Sequence, residues 1–137
     1  MADIAENLTK FLLADTTGVA AKVGTRIVQD VLAEGKPMPF VWFSRSSTTH
    51  ERCLGESSLT PFSHVFAVEC VSDDINESQA LADLVRARCE TLANGGTLGD
   101  QAVSNVFAEE QSDDYIEQNA NPNAGEFVAA LQVEVYP

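Results

Sequence analysis

Two histidines, three cysteines and three pairs of adjacent carboxylates are the residues of this chain with the types to do chemistry. Their spacing matches no familiar site. His50 lies in a polar stretch and His64 in a strand-like one, without the HxxxH or HExxH pattern that puts two imidazoles on one helix face. A zinc site would therefore have to recruit ligands from afar. Cys53, Cys70 and Cys89 form no CxxC pair. Cys70 and Cys89 fall on apolar faces and read as small buried hydrophobes, not as a disulfide framework. The pairs Asp73-Asp74, Glu109-Glu110 and Asp113-Asp114 lack the alternating ligands and the glycine of a calcium loop, so helix starts and solvated loops account for them. Gly95-Gly96-Thr97-Leu98-Gly99 follows a helical pattern, whereas a phosphate cradle precedes one; it reads as a helix stop. The serines stand in no nucleophile elbow, with no histidine near enough in sequence to act as base. The expectation is a protein that is not an enzyme, with no catalytic, cofactor or metal residues.

The elements that would position any site centre on residues 62–93. Phe62, His64, Phe66, Val68 and Cys70 alternate with Ser63, Val65, Ala67, Glu69 and Val71, the period-two pattern of a strand buried mainly on one side. An acidic turn leads into a helix over 77–93 whose Leu81, Leu84, Val85, Cys89 and Leu92 share a stripe opposite Asp83, Arg86 and Glu90. Asn76, three residues before Gln79, resembles a capping box, and Asn94-Gly95-Gly96 ends the helix. Arg88 lies inside the apolar stripe. Its stem is expected on the core with the head on helix C-terminal carbonyls or a carboxylate, the alternative being an intersubunit salt bridge.

Other segments supply cover. A first helix over 3–14 has Ile4, Ala5, Leu8, Phe11 and Leu12 inward and Asp3, Glu6, Asn7 and Lys10 toward water. Val19 to Val23 makes a short turn, and Arg26-Ile27-Val28 fits either a strand or a helical period. Phe40-Val41-Trp42-Phe43 is a strand apolar on both faces, so it is central or covered by another protein surface. Residues 44–61 read as a long polar loop or ragged hairpin extension, and 112–125 as a second polar excursion. Residues 101–110 suggest a strand with a bulge. In the last strand, Phe127, Ala129, Leu131, Val133 and Val135 face one way and Val128, Ala130, Gln132, Glu134 and Tyr136 the other. The fold class expected is α+β: an antiparallel sheet of about four strands (40–46, 62–71, 101–110 and 126–136) with two main helices on one face.

Composition bounds the function. With 137 residues, 45% of them hydrophobic, the chain can bury about two thirds of its unfolded surface as one domain, 1–137. No apolar run nears the ~18 residues of a membrane span, and MADIAENLTK is acidic and amphipathic where a signal peptide is basic and then apolar. A cytoplasmic protein without membrane association is expected. The 21 Asp and Glu against 8 Lys and Arg, net charge −13, repel a phosphate backbone, and no basic stripe overrides this.

The order of elements resembles the tail terminator (tail completion, or tail-to-head joining) proteins of tailed bacteriophages. The residues carrying it are the N-terminal helix, Gly24-Thr25-Arg26-Ile27, Pro39-Phe40-Val41-Trp42-Phe43, the strand Phe66 to Val71, the helix from Ser78 to Val85, Asp114-Tyr115 and the closing Leu131 to Tyr136. The resemblance spans nearly the whole chain, departing at 44–61 and 112–125. It implies a small α+β structural virion protein without an active site. Such a protein forms a homo-hexameric ring at the head-proximal end of the tail, ends tail-tube polymerisation and presents a surface to the head connector. Its partners would be other copies of itself, the tail tube protein and the connector or neck protein, with DNA passing through unbound. An acidic bore suits that passage, because cationic contacts would add counterion-release affinity for the transiting duplex. Trp42, Arg45, His50, Arg52, Arg88 and Tyr115 are the candidate contacts with a neighbouring subunit or the tube. The competing reading is a small cytoplasmic ligand-binding or enzymatic α+β domain, with a cleft between helix and sheet near Trp42 and His64.

Overall fold

Alternation over residues 62–71 produces a strand that is longer than its apolar pattern. In a computed structural model, which describes residues 4–29, 38–51, 60–118 and 121–137, strand β3 runs Thr60–Ser72. His64, Phe66, Val68 and Cys70 are buried, while Val65, Ala67 and Glu69 on the opposite face are half-buried. The other strands are β1 (Ile27–Gln29), β2 (Phe40–Glu51), β4 (Gly96–Leu98), β5 (Gln101–Val103), β6 (Asn105–Gln118) and β7 (Asn121–Tyr136). The helices are α1 (Ile4–Leu13), α2 (Val19–Val23) and α3 (Ile75–Glu90).

The main sheet has five strands in the order β1-β2-β3-β7-β6, and β4-β5 form a separate two-stranded sheet. The fold is α+β as expected, with two corrections. The sheet is mixed, because β1 runs parallel to β2, with Ile27 opposite Val41. The segment 101–110 is divided at Ser104, whose N–H donates to the Tyr136 carbonyl at 2.7 Å. Before the break, Gln101 pairs with Leu98 in the small hairpin; after it, Asn105 pairs with Tyr136 in the main sheet. So Gly96 does more than stop a helix: it opens β4. The polar stretches also differ from the expected excursions, since Ser44 to Glu51 and Ser112 to Gln118 continue as strands. Each joins a long antiparallel ribbon, β2-β3 and β6-β7, in which the partner strand supplies the backbone hydrogen bonds that solvent would otherwise provide.

One face of the sheet carries every described helix. Leu8 and Leu12 of α1, Val19 and Val23 of α2, and Leu81, Val85 and Cys89 of α3 share one core with Val41, Phe43, Phe66, Val68, Leu131, Val133 and Val135. Within it the Phe43 and Phe66 rings meet edge to face at 5.8 Å and 80°, a geometry worth about 0.5–1.5 kcal/mol beyond the area it buries. Leu84 is half-buried at the rim of this core.

The cap of α3 is Asp74, not Asn76. The Asp74 carboxylate accepts the Asn76 N–H at 3.0 Å, satisfying one of the donors a helix start leaves open. Ser72 supports it by accepting the Asp74 N–H at 3.2 Å and donating its hydroxyl to Glu77 at 3.0 Å. Asn7, expected toward water, is buried instead. Its Oδ1 accepts the Asp100 N–H at 2.9 Å, and Lys10 pairs with the Asp100 carboxylate at 2.6 Å, so α1 holds the turn between β4 and β5 from two points. Helical phase could not show this, because the partner turn is 93 residues away in the chain.

Candidate interface surfaces

The helix-free face of the sheet is built by the second parity of each strand. At one end Phe40, Val71 and Val128 are buried against one another, with Met38 and Trp42 packed on them. At the other end the exposed Phe107 meets Tyr136 edge to face at 5.8 Å, and the Tyr136 hydroxyl donates to Glu134 at 2.8 Å. That bond to a carboxylate favours the neutral phenol and raises its pKa. Between the two ends lie half-buried Val65, Ala67, Glu69, Ala130 and Gln132. An aromatic at each end and small or acidic residues between them make this face amphipathic, and no described helix covers it.

The sheet edges differ from each other. On one side β1 covers only Val41 to Phe43 of β2, so β2 continues past it from Ser44 to Glu51 with no described strand beside it. On the other side β6 is the outermost strand for all of Asn105–Gln118.

The candidate contact residues do not form one cluster. Trp42 is half-buried on the helix-free face, opposite Glu69. Arg45 is exposed just above the core, its guanidinium carbon 5.7 Å from the centre of the Phe66 ring. His50 lies near the end of β2, in register with Pro61, and Tyr115 lies on β6, in register with Phe127. Arg52 lies outside the described residues. Arg88 is on the helix side, where its Nε–H donates to the Phe11 carbonyl at 3.1 Å and its guanidinium carbon stands 4.0 Å over the Phe11 ring. The head reaches a carbonyl at the C-terminal end of α1, not of its own helix.

A cleft shared by Trp42 and His64 is not formed, which corrects the ligand-binding alternative. His64 pairs with Val135 on the core side, whereas Trp42 packs with Val128 on the other face of the sheet. Among the described residues no group of three or more His, Cys, Asp or Glu is placed to hold a metal ion. Cys70 and Cys89 are free and buried, and burial pushes the Cys89 thiol up to about 12 and Cys70 further, which leaves both un-ionised and poor nucleophiles. No described helix is long and apolar enough to cross a membrane.

Superposition on solved structures gives a match from end to end. A chain of the "Virion of native gene transfer agent (GTA) particle" aligns over 100% of both chains with a TM-score of 0.57 and 14% identity. This chain has that virion protein's fold. A second solved chain, 13% identical over 98% of this chain and 94% of its own, superposes at a TM-score of only 0.42. No family model and no curated protein matches the sequence.

The surface that sequence reasoning missed is the long outer edge of β6. Its residues, NVFAEEQSDDYIEQ, alternate only in the first few positions, so the periodic signal ends where the strand does not. The absence of glycine and proline across them was the available clue.

Proposed function

We propose that this protein is a structural component of a virion. It forms a homo-oligomeric ring, a hexamer, on the head-proximal end of a tail tube, stops tube polymerisation and offers its outer surface to the head connector. The observation that carries this reading is the full-length fold match to a chain of a gene transfer agent virion, with neither chain holding an unmatched domain. The resemblance in element order to tail terminators gives the finer role, and the charge of −13 suits a channel that must not retain DNA. The chain acts by surfaces and carries no catalysis.

In this reading the β2-β3 ribbon is an arm. It projects past β1, it holds Arg45 and His50 on an otherwise acidic chain, and it contacts the neighbouring subunit or the tube. The test is to replace residues 49–63 by a tight turn joining the paired Thr48 and His64, and to measure tube lengths by electron microscopy. Shortening a surface hairpin changes closure entropy little, by about 0.6 kcal/mol for each halving of the loop, so the fold should persist. Tubes grown with the shortened protein should be overlong. Tubes of normal length would show that the arm does not make the contact.

A further inference from the structure

We propose that the two edges of the main sheet pair with each other between copies: the β1-β2 edge of one subunit lies antiparallel against the β6 edge of the next. The inference takes a second copy as the occupant and in that respect rests on the ring reading above.

Charge is the first observation. Among the described residues of 22–29 and 38–51, which contain β1 and β2, Lys22, Arg26 and Arg45 stand against one carboxylate, Glu51. Residues 105–126, which contain β6 and the start of β7, hold six Asp and Glu and no Lys or Arg; the last basic residue in the chain is Arg88. Because the strand order is β1-β2-β3-β7-β6, the β1-β2 pair and β6 lie at opposite margins of one sheet. Each copy therefore has a basic side and an acidic side. Such a molecule attracts its own kind head to tail and repels it edge to like edge, the arrangement that a heterologous ring needs and a two-fold dimer does not.

Strand direction is the second. β1 and β2 run together, and β3, β7 and β6 each reverse the direction of the strand before, so β6 runs opposite to β1 and β2. A neighbour in the same orientation then meets β6 with antiparallel strands, for which the ladder is well formed.

Height along the sheet is the third. Following the register across, Ile27 is level with Val41, Cys70, Ala129 and Asp113, and Arg45 is level with Phe66, Val133 and Ala108. A neighbour set beside β6 without vertical slip thus brings Arg26 to the height of Asp113 and Asp114, and Arg45 to that of Ala108 and Glu109. Arg26 is held at this height by bonds to neutral carbonyls, from Nε to Pro39 at 2.8 Å and from Nη2 to Lys22 at 3.3 Å, so its charge is not cancelled by them. A β6 edge of fourteen residues with no described strand beyond it is otherwise a template for indiscriminate strand pairing, and five carboxylates along it select a basic strand.

The experiment is charge reversal with mixing, read by sedimentation. One variant carries Arg26→Glu and Arg45→Glu; the other carries Glu109→Lys, Glu110→Lys, Asp113→Lys and Asp114→Lys. Circular dichroism and melting check that both fold. The unaltered protein should sediment at several times 14.7 kDa. Each variant alone should fall to the monomer mass, because both of its edges then carry one sign, and an equal mixture should regain the assembly with the two variants in equal amounts. The pairing is overturned if either variant alone assembles like the parent, if the mixture stays monomeric, or if the parent itself is a monomer or associates only with another protein. Tube length, measured separately, reports on capping: restored assembly without an effect on tubes would count against the function and not against the edge pairing.

Discussion

Arg88 of α3 caps the C-terminal end of α1 by donating its Nε–H to the Phe11 carbonyl at 3.1 Å while its guanidinium lies 4.0 Å over the Phe11 ring. The last four carbonyls of a helix have no partner within it, and a cation there also meets the negative end of the helix dipole. One side chain thus joins two helices through a hydrogen bond, a ring face and a charge-dipole contact. Arg88→Met keeps the apolar stem and loses all three. It should cost about 1.5–3 kcal/mol in urea denaturation, the range for a hydrogen bond to a charged group. An unchanged midpoint would mean that the capping contact contributes nothing.

Parity on β7 separates two substitutions three residues apart. Leu131 is 2% exposed in the core, while Glu134 is half-buried on the helix-free face and accepts from Tyr136. Leu131→Asp should cost several kcal/mol, comparable to total stability, because the carboxylate is left unpaired among apolar neighbours. Glu134→Lys should melt within a few degrees of the parent. Thermal melts of both variants check the face assignment.

Gly99 holds the β4-β5 turn against α1 in a way no other residue can. Its φ is +59°, and an added Cβ would stand 2.6 Å from Asn7 Oδ1 and 2.8 Å from the Asn7 carbonyl oxygen. Gly99→Ala should therefore push the turn off α1 and break the bond from Asp100 N–H to Asn7, at a cost of about 1–3 kcal/mol. Asn7→Ala should lose a similar amount, and the double variant much less than the sum, since both act on one contact.

Alkaline pH should weaken the fold through its buried thiols. The Cys89 thiol is raised from 9.0 to about 12 by burial, so the unfolded chain releases a proton above pH 9 that the native chain keeps. Cys70 acts in the same direction. Lys10 is raised by its hydrogen bond to Asp100, so its contribution is complete below about 10.5 and disappears as pH rises through its higher native value. All three signs agree: the stability these groups contribute is level below pH 9 and falls above it. Replacing Cys70 and Cys89 by Ala should flatten the fall in melting temperature between pH 9 and 11, and an equally steep fall in the variant would remove the thiols as its cause.

What the sequence determined by itself is whatever depends on neighbours in the chain or on a sustained period. The alternation in β3 and β7 and the stripe in α3 identified the core, because one buried face leaves its imprint every second residue in a strand and every three to four in a helix. Tertiary structure alone decided the rest. Ser44 to Glu51 and Ser112 to Gln118 are strands because β3 and β7 lie beside them, and a partner's hydrogen bonds leave no mark on the side chains. Asn7 is buried because a turn 93 residues later closes over it, and Asp74 caps α3 because Ser72 holds it in place. A basic stretch and an acidic stretch were also present in the sequence, but only the strand order, which places β1-β2 and β6 at opposite edges, makes them two margins of one sheet.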